Sequence, residues 1–179
     1  MEFTGHEFLK AYEGKVLNKA GDHVAYQDQG GVWTIGYGHT AGVKKGQTIT
    51  EAKALEFLDQ DIAWAEKTVN DTLKGHFLTQ NQFNALVSLT YNIGPNGFKT
   101  STVVKRIKAK DYAGAAEAIT WWNLVDGKVS QGLVARRAKE KAMFLTPDAP
   151  TLPFPTPDKD REQKIRALVD KFVKDLMEI

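Results

Sequence analysis

The spacing of apolar residues changes once along this chain, at Glu51, and that change fixes the fold class. Upstream, Val24 to Tyr37 alternates and is punctuated by Gly30 and Gly31, which marks a hairpin, with a third short strand expected near Ile49. Downstream, Leu55, Leu58, Ile62, Ala65 and Val69 recur at intervals of three and four behind a cap at Thr48 or Thr50, which predicts a long amphipathic helix. Thr79 is expected to cap a second helix carrying Phe83, Leu86, Val87, Thr90 and Tyr91 on one face, with Gly94 and Pro95 as its stop. Ser101 to Lys108, Asp111 to Trp121 and Leu133 to Leu145 read as three more. One early hairpin followed by a helical body is an α+β arrangement rather than alternating βα units, and a cleft commonly forms between two such lobes. Ahead of the hairpin, Thr4 and Glu7 have capping-box spacing, and Phe8, Ala11 and Tyr12 follow at helical intervals before Gly14. Glu13 is therefore expected to end a first helix.

A length of 179 residues suits one domain, or one domain with an appendage. Pro147, Pro150, Pro153, Pro155 and Pro157 crowd one stretch that can be neither helix nor central strand, so 147–158 reads as a linker between a body at 1–146 and a last segment at 159–179. In that last segment Ile165, Leu168, Val169, Phe172, Val173, Leu176 and Met177 form the apolar stripe of a helix. Its charged face balances Lys159, Arg161, Lys164, Arg166, Lys171 and Lys174 against Asp158, Asp160, Glu162, Asp170, Asp175 and Glu178. Docking on the body is the preferred reading, and a membrane or partner role, at most a weak membrane contact, is the competing one.

The net charge of +2 nominates no nucleic acid. Two basic groups, Lys99, Lys105, Arg106, Lys108 and Lys110, then Arg136, Arg137, Lys139 and Lys141, suit either an anionic polymer or a solvated helix face. The absence of cysteine excludes a disulfide framework and thiolate chemistry. Residues 1–12 carry Glu2, Glu7 and Lys10 and no long apolar run, so no signal peptide or membrane span is expected there; action outside the cytoplasm would need another route out. His6, His23 and His76 lack ligand spacing, and no metal or other cofactor is expected.

The chemistry-bearing residues are Glu13 and, in the run from Tyr26 to Thr40, Asp28 and Thr34, set among glycines that let a polymer approach the backbone. Cutting a glycosidic bond requires an acid for the leaving oxygen and a carboxylate to attack or to activate water, and two acids on neighbouring elements can supply both. On the last body helix Arg136, Arg137 and Glu140 share a stripe with Leu133, Met143 and Phe144. An inward Arg needs a carboxylate, and Glu13 is a candidate partner.

These residues resemble the phage-type lysozymes, glycoside hydrolase family 24. The resemblance runs from Phe8 to about Leu145 through Tyr12-Glu13-Gly14, Tyr26 to Thr40, Gln82 to Val87, Tyr91-Asn92-Ile93-Gly94, Ser101-Thr102, Trp121-Trp122 and Gly132 to Glu140, with Trp33-Thr34-Ile35-Gly36-Tyr37-Gly38-His39 its most specific part. It implies a small sheet lobe joined by a long helix to a helical lobe, and a muramidase hydrolysing the bond between N-acetylmuramic acid and N-acetylglucosamine in peptidoglycan with inversion. By the same resemblance Glu13 is the general acid, Asp28 holds or activates water, Thr34 positions it and Arg136 partners Glu13. His39 makes a structural hydrogen bond. Tyr91 and Asn92 match the cleft wall that contacts substrate, although Tyr91 also continues a core stripe. An endolysin of this kind is expected to act as a monomer, to wait in the host cytoplasm and to reach the periplasm through a holin.

One departure bears on the site. Asn18 to His23 looks like an insertion before the first strand, so counting forward from Glu13 reaches Asp22, whereas counting back from Thr34 reaches Asp28. Asp28 is preferred, because it shares strand register and turn with Thr34. A lytic transglycosylase, which needs only one acid, and a wall-binding phage component without turnover are the alternatives.

Overall fold

The computed structural model describes residues 1–28 and 30–148. The α+β arrangement is present: α1 (His6–Lys10), β1 (His23–Val24), β2 (Tyr26–Gln27), β3 (Trp33–Thr34), β4 (Thr48–Ile49), α2 (Glu51–Thr72), α3 (Gln80–Thr100), α4 (Thr102–Lys108), α5 (Tyr112–Ile119), β5 (Leu124–Val125), β6 (Lys128–Val129) and α6 (Gln131–Leu145). The strands are two residues long and pair antiparallel. Tyr26 faces Thr34 and Gln27 faces Trp33 across the β2–β3 hairpin, while β4 returns to β1 with Ile49 against His23.

Thr50 caps α2 by accepting the Lys53 N–H at 3.3 Å, and Ala54, Leu58, Ile62, Ala65 and Val69 form its buried face. Thr79 and Gln82 close a capping box at the start of α3. Gly94 takes φ 80° and ψ 164° ahead of Pro95, so the helix breaks where expected, but a further turn follows and carries buried Phe98 into the core. The helical lobe closes around Phe83, Leu86, Leu89, Phe98, Ile107, Ile119 and Phe144.

The N-terminus differs from expectation. Thr4 does not cap α1: its N–H donates to Asn84 Oδ1 at 3.0 Å and its Oγ1 accepts Asn84 Nδ2 at 2.9 Å, so both groups serve a tertiary contact and the cap position falls to Gly5 without a side-chain bond. The helix stops at Lys10, and Glu13 stands beyond it in a turn, its N–H still donating to Leu9 O at 3.1 Å. The β5–β6 hairpin was not expected, although its signal is present. Asp126 and Gly127 form a two-residue turn with φ 49° and 74°, the left-handed pair that matches strand twist.

Asp148 closes the body by accepting the Gln80 and Asn81 N–H groups, at 2.6 and 2.8 Å, at the first turn of α3. The linker expected at 147–158 lies outside the described residues beyond Asp148, as does the helix expected at 159–179.

Candidate active site

Helix α6 opens with Ser130 accepting the Leu133 N–H at 3.4 Å, and one of its faces buries charge. Arg136, Arg137 and Glu140 are 6%, 0% and 0% exposed, so the second basic group of the sequence is in large part an internal ion network. Glu140 is its centre. Glu140 Oε1 accepts Arg136 Nε at 3.2 Å, Arg137 Nη2 at 3.2 Å and the Ser88 hydroxyl at 2.7 Å, while Oε2 lies 2.9 Å from Arg137 Nε as an ion pair. The carboxylate that inward arginines require is thus supplied first by their own helix, three and four residues on. Arg136 also reaches Glu13, with Nη1 3.6 Å from Oε1, and stacks over the Tyr12 ring with its guanidinium carbon 5.1 Å from the centroid.

Glu13 is mostly buried, its side chain 21% exposed. Burial pushes its carboxyl above the usual range, and the Arg136 charge pulls in the opposite direction without overcoming it. Gly38, at φ 97°, brings backbone so near that a Cβ there would stand 3.6 Å from Glu13 Oε2. Behind it, the Tyr26 hydroxyl donates to Gly14 O at 3.2 Å, and this phenol is raised by burial and by the charges of Asp28 and Glu13. Tyr26 therefore senses both carboxylates.

Asp28 organises the hairpin turn. Its Oδ1 accepts the N–H groups of Gly30 and Val32, both at 2.9 Å, and its own N–H donates to Val32 O at 3.0 Å. Thr34, 4% exposed, donates its hydroxyl proton to the same Val32 O at 3.1 Å. Asp22 stands in a separate small loop, in which Asn18 Oδ1 accepts the N–H groups of Ala20 and Asp22, at 2.8 and 3.0 Å, and Asn18 Nδ2 lies 3.4 Å from Asp22 Oδ2. The side-chain bonds of Asp22 close its own loop, whereas Asp28 shares a backbone carbonyl with Thr34.

Tyr91 stacks on Trp64, with ring centres 6.0 Å apart, and its hydroxyl is pushed up to about 12 by burial and by the charges of Glu13 and Asp61. Asn92 is exposed and lines a cavity of about 940 Å³ in the helical lobe, with Ser101, Thr102, Trp121, Trp122 and Leu133. Glu13 and Asp28 do not line that cavity.

The phage lysozyme family pattern matches residues 15–140, from just after Glu13 to the buried Glu140. The chain belongs to the phage lysozyme family. It is 42% identical over 144 residues to an endolysin of Acyrthosiphon pisum secondary endosymbiont phage 1, covering 78% of this chain and 94% of that one. Among solved structures, an endolysin from Escherichia coli O157:H7 phage FAHEc1 is similar at 39% identity and TM-score 0.71, over 81% of this chain and 94% of that one. A P22 lysozyme mutant is similar at 37% and 0.71, over 82% and 99%.

Within this phage lysozyme framework, His39 is tied into the fold. Its Nδ1 lies 2.9 Å from Asp61 Oδ2 on α2, its Nε2 lies 3.0 Å from Ala41 O, and its ring stacks on Phe57. A second cluster escaped sequence reasoning: the Glu51 carboxylate accepts the Tyr37 hydroxyl at 2.8 Å and meets Lys10 Nζ at 2.8 Å and buried His23 Nε2 at 2.7 Å. Burial opposes the charge of Glu51, yet these bonds hold its carboxyl down at about 2.

Proposed function

We infer that the protein is an endolysin, a lysozyme-type glycoside hydrolase that cuts peptidoglycan between N-acetylmuramic acid and N-acetylglucosamine. The observation that carries the reading is Glu13, a carboxyl raised by burial yet held beside Arg136 at the mouth of a glycine-rich hairpin. Burial that raises a carboxyl favours its protonated form, which is the form in which a general acid gives a proton to the leaving oxygen.

Asp28 is the second carboxylate in this reading. With Oδ1 committed to two backbone N–H groups, its remaining oxygen is the one that takes a proton from water. The Thr34 hydroxyl, having donated to Val32 O, presents lone pairs that orient that water. Attack from the face opposite the leaving group inverts the anomeric centre; separations of roughly 6.5 to 9.5 Å between carboxyls are what such a route uses. Tyr91 and Asn92 contact the sugars, the first as a stacking face and the second as an amide. Arg136 holds Glu13 in place.

The reading extends to a monomer that waits in the host cytoplasm and reaches the periplasmic wall through a holin, with a body at 1–146 separated by its linker from the terminal helix. Clearing of purified peptidoglycan by wild type, lost in Glu13→Gln, tests the function. Mass spectrometry of the digest tests the mechanism: reducing ends carrying water oxygen on inverted anomeric carbons are expected, and anhydromuramic ends would overturn hydrolysis in favour of transglycosylation.

A further inference from the structure

Asn92 lies two residues before the Gly94 break and faces the 940 Å³ cavity, but its amide is not free to turn. Arg137 Nη2 donates to Asn92 Oδ1 at 3.0 Å. A guanidinium has five N–H donors and no acceptor, so it can bind only the oxygen of an amide. Turning the amide over would set its NH₂ against the NH₂ of a fully buried cation whose Nη1 already has no hydrogen-bond partner among the described residues. Arg137 cannot retreat, because Glu140 holds its Nε at 2.9 Å and its Nη2 at 3.2 Å. Asn92 Nδ2 donates to no group among the described residues.

We propose that Arg137 fixes Asn92 as a one-way contact, with the Nδ2 donor turned toward the cavity, so that this wall selects a ligand group that accepts a hydrogen bond. On the muramidase reading, on which this rests, that group is the carbonyl oxygen of an acetamido substituent. An acetamido group offers both a carbonyl and an N–H, and the buried arginine chooses between them. A sugar lacking the acetyl group would present an ammonium there, and two donors would meet. Arg137 is a positioning residue, acting through Asn92 rather than on the substrate.

The test is Asn92→Asp, which keeps an oxygen for Arg137 and replaces the outward donor with an acceptor. The expected result is a KM for purified peptidoglycan raised about tenfold, the loss falling on KM rather than kcat, since a hydrogen bond has become a repulsion. The melting temperature should hold or rise, because Arg137 gains a charged partner. An unchanged KM in an enzyme that clears walls overturns the donor assignment alone, whereas clearing that survives Glu13→Gln overturns the underlying reading. A second measurement needs no turnover. The side-chain NH₂ resonances of Asn92 should move when the trimer of N-acetylglucosamine is added to the full chain and stay put with the glucosamine trimer. Equal shifts with both, or none with either, overturn the proposal.

Discussion

Arg136 Nη1 lies 3.6 Å from Glu13 Oε1, while Arg136 Nε lies closer, at 3.2 Å, to Glu140. The arginine is thus bonded first to its own helix and leans on the acid with what remains. That ranking explains how a carboxyl beside a guanidinium is still raised: burial acts on Glu13 in full, and the opposing charge is already shared.

Glu13→Gln should reduce wall clearing by roughly 10² to 10⁴-fold, the contribution usual for a positioned proton donor. It should also raise the melting temperature at neutral pH. A carboxyl whose folded pKa lies above its unfolded value costs stability as pH rises through that window, and the amide removes the cost. Thermal melts at pH 7 and pH 4 check the sign: the gain should shrink at the lower pH.

Removing Glu140 should be severe. Glu140→Leu leaves Arg136 and Arg137 buried without their shared anion, and breaking such a group costs about 3–5 kcal/mol. Denaturant unfolding would reveal it, and an unchanged midpoint would argue that water already enters the network.

Asp28→Asn should abolish lysis, while Asp22→Asn should leave it near wild type. The side-chain bonds of Asp22 stay within its loop, and those of Asp28 fix the turn that carries Thr34. A turbidity assay decides, and the reverse outcome would move the second carboxylate to Asp22.

Stability in acid should depend on Glu51. Its folded pKa of about 2 lies below the unfolded value of roughly 4.3, so its contribution is full above that value and is lost as pH falls through about 2. The side chain is 47% exposed, so solvent screening keeps the effect modest. Melting temperature plotted against pH from 5 to 2 should fall less steeply in Glu51→Gln than in wild type.

The elements legible in the sequence were those whose signals are local. Thr50 and Thr79 announce α2 and α3, because caps and apolar period agree there. The pairing of Thr34 with Tyr26 follows from hairpin register, which is also why Asp28 was preferred to Asp22. Thr4 misled because Asn84, 80 residues away, takes the groups a cap would use. The Asp126-Gly127 turn is a local signal for the β5–β6 hairpin. Glu140 is legible as well, as a carboxylate three and four residues beyond the two arginines on an apolar stripe, and it takes the place of first partner that the sequence alone offers to Glu13. Nothing local announces the Glu51 cluster, whose members come from α1, β1 and the loop after β3.

Arg136, Arg137 and Glu140 together enclose two cations and one anion. With its members ionised this set carries one positive charge in excess, although burial works against the pairing by lifting the Glu140 carboxyl and lowering Arg137. Glu13, 3.6 Å from Arg136, is the carboxylate that faces the surplus. The charge left over inside α6 therefore ties the turn after α1 to the helical lobe.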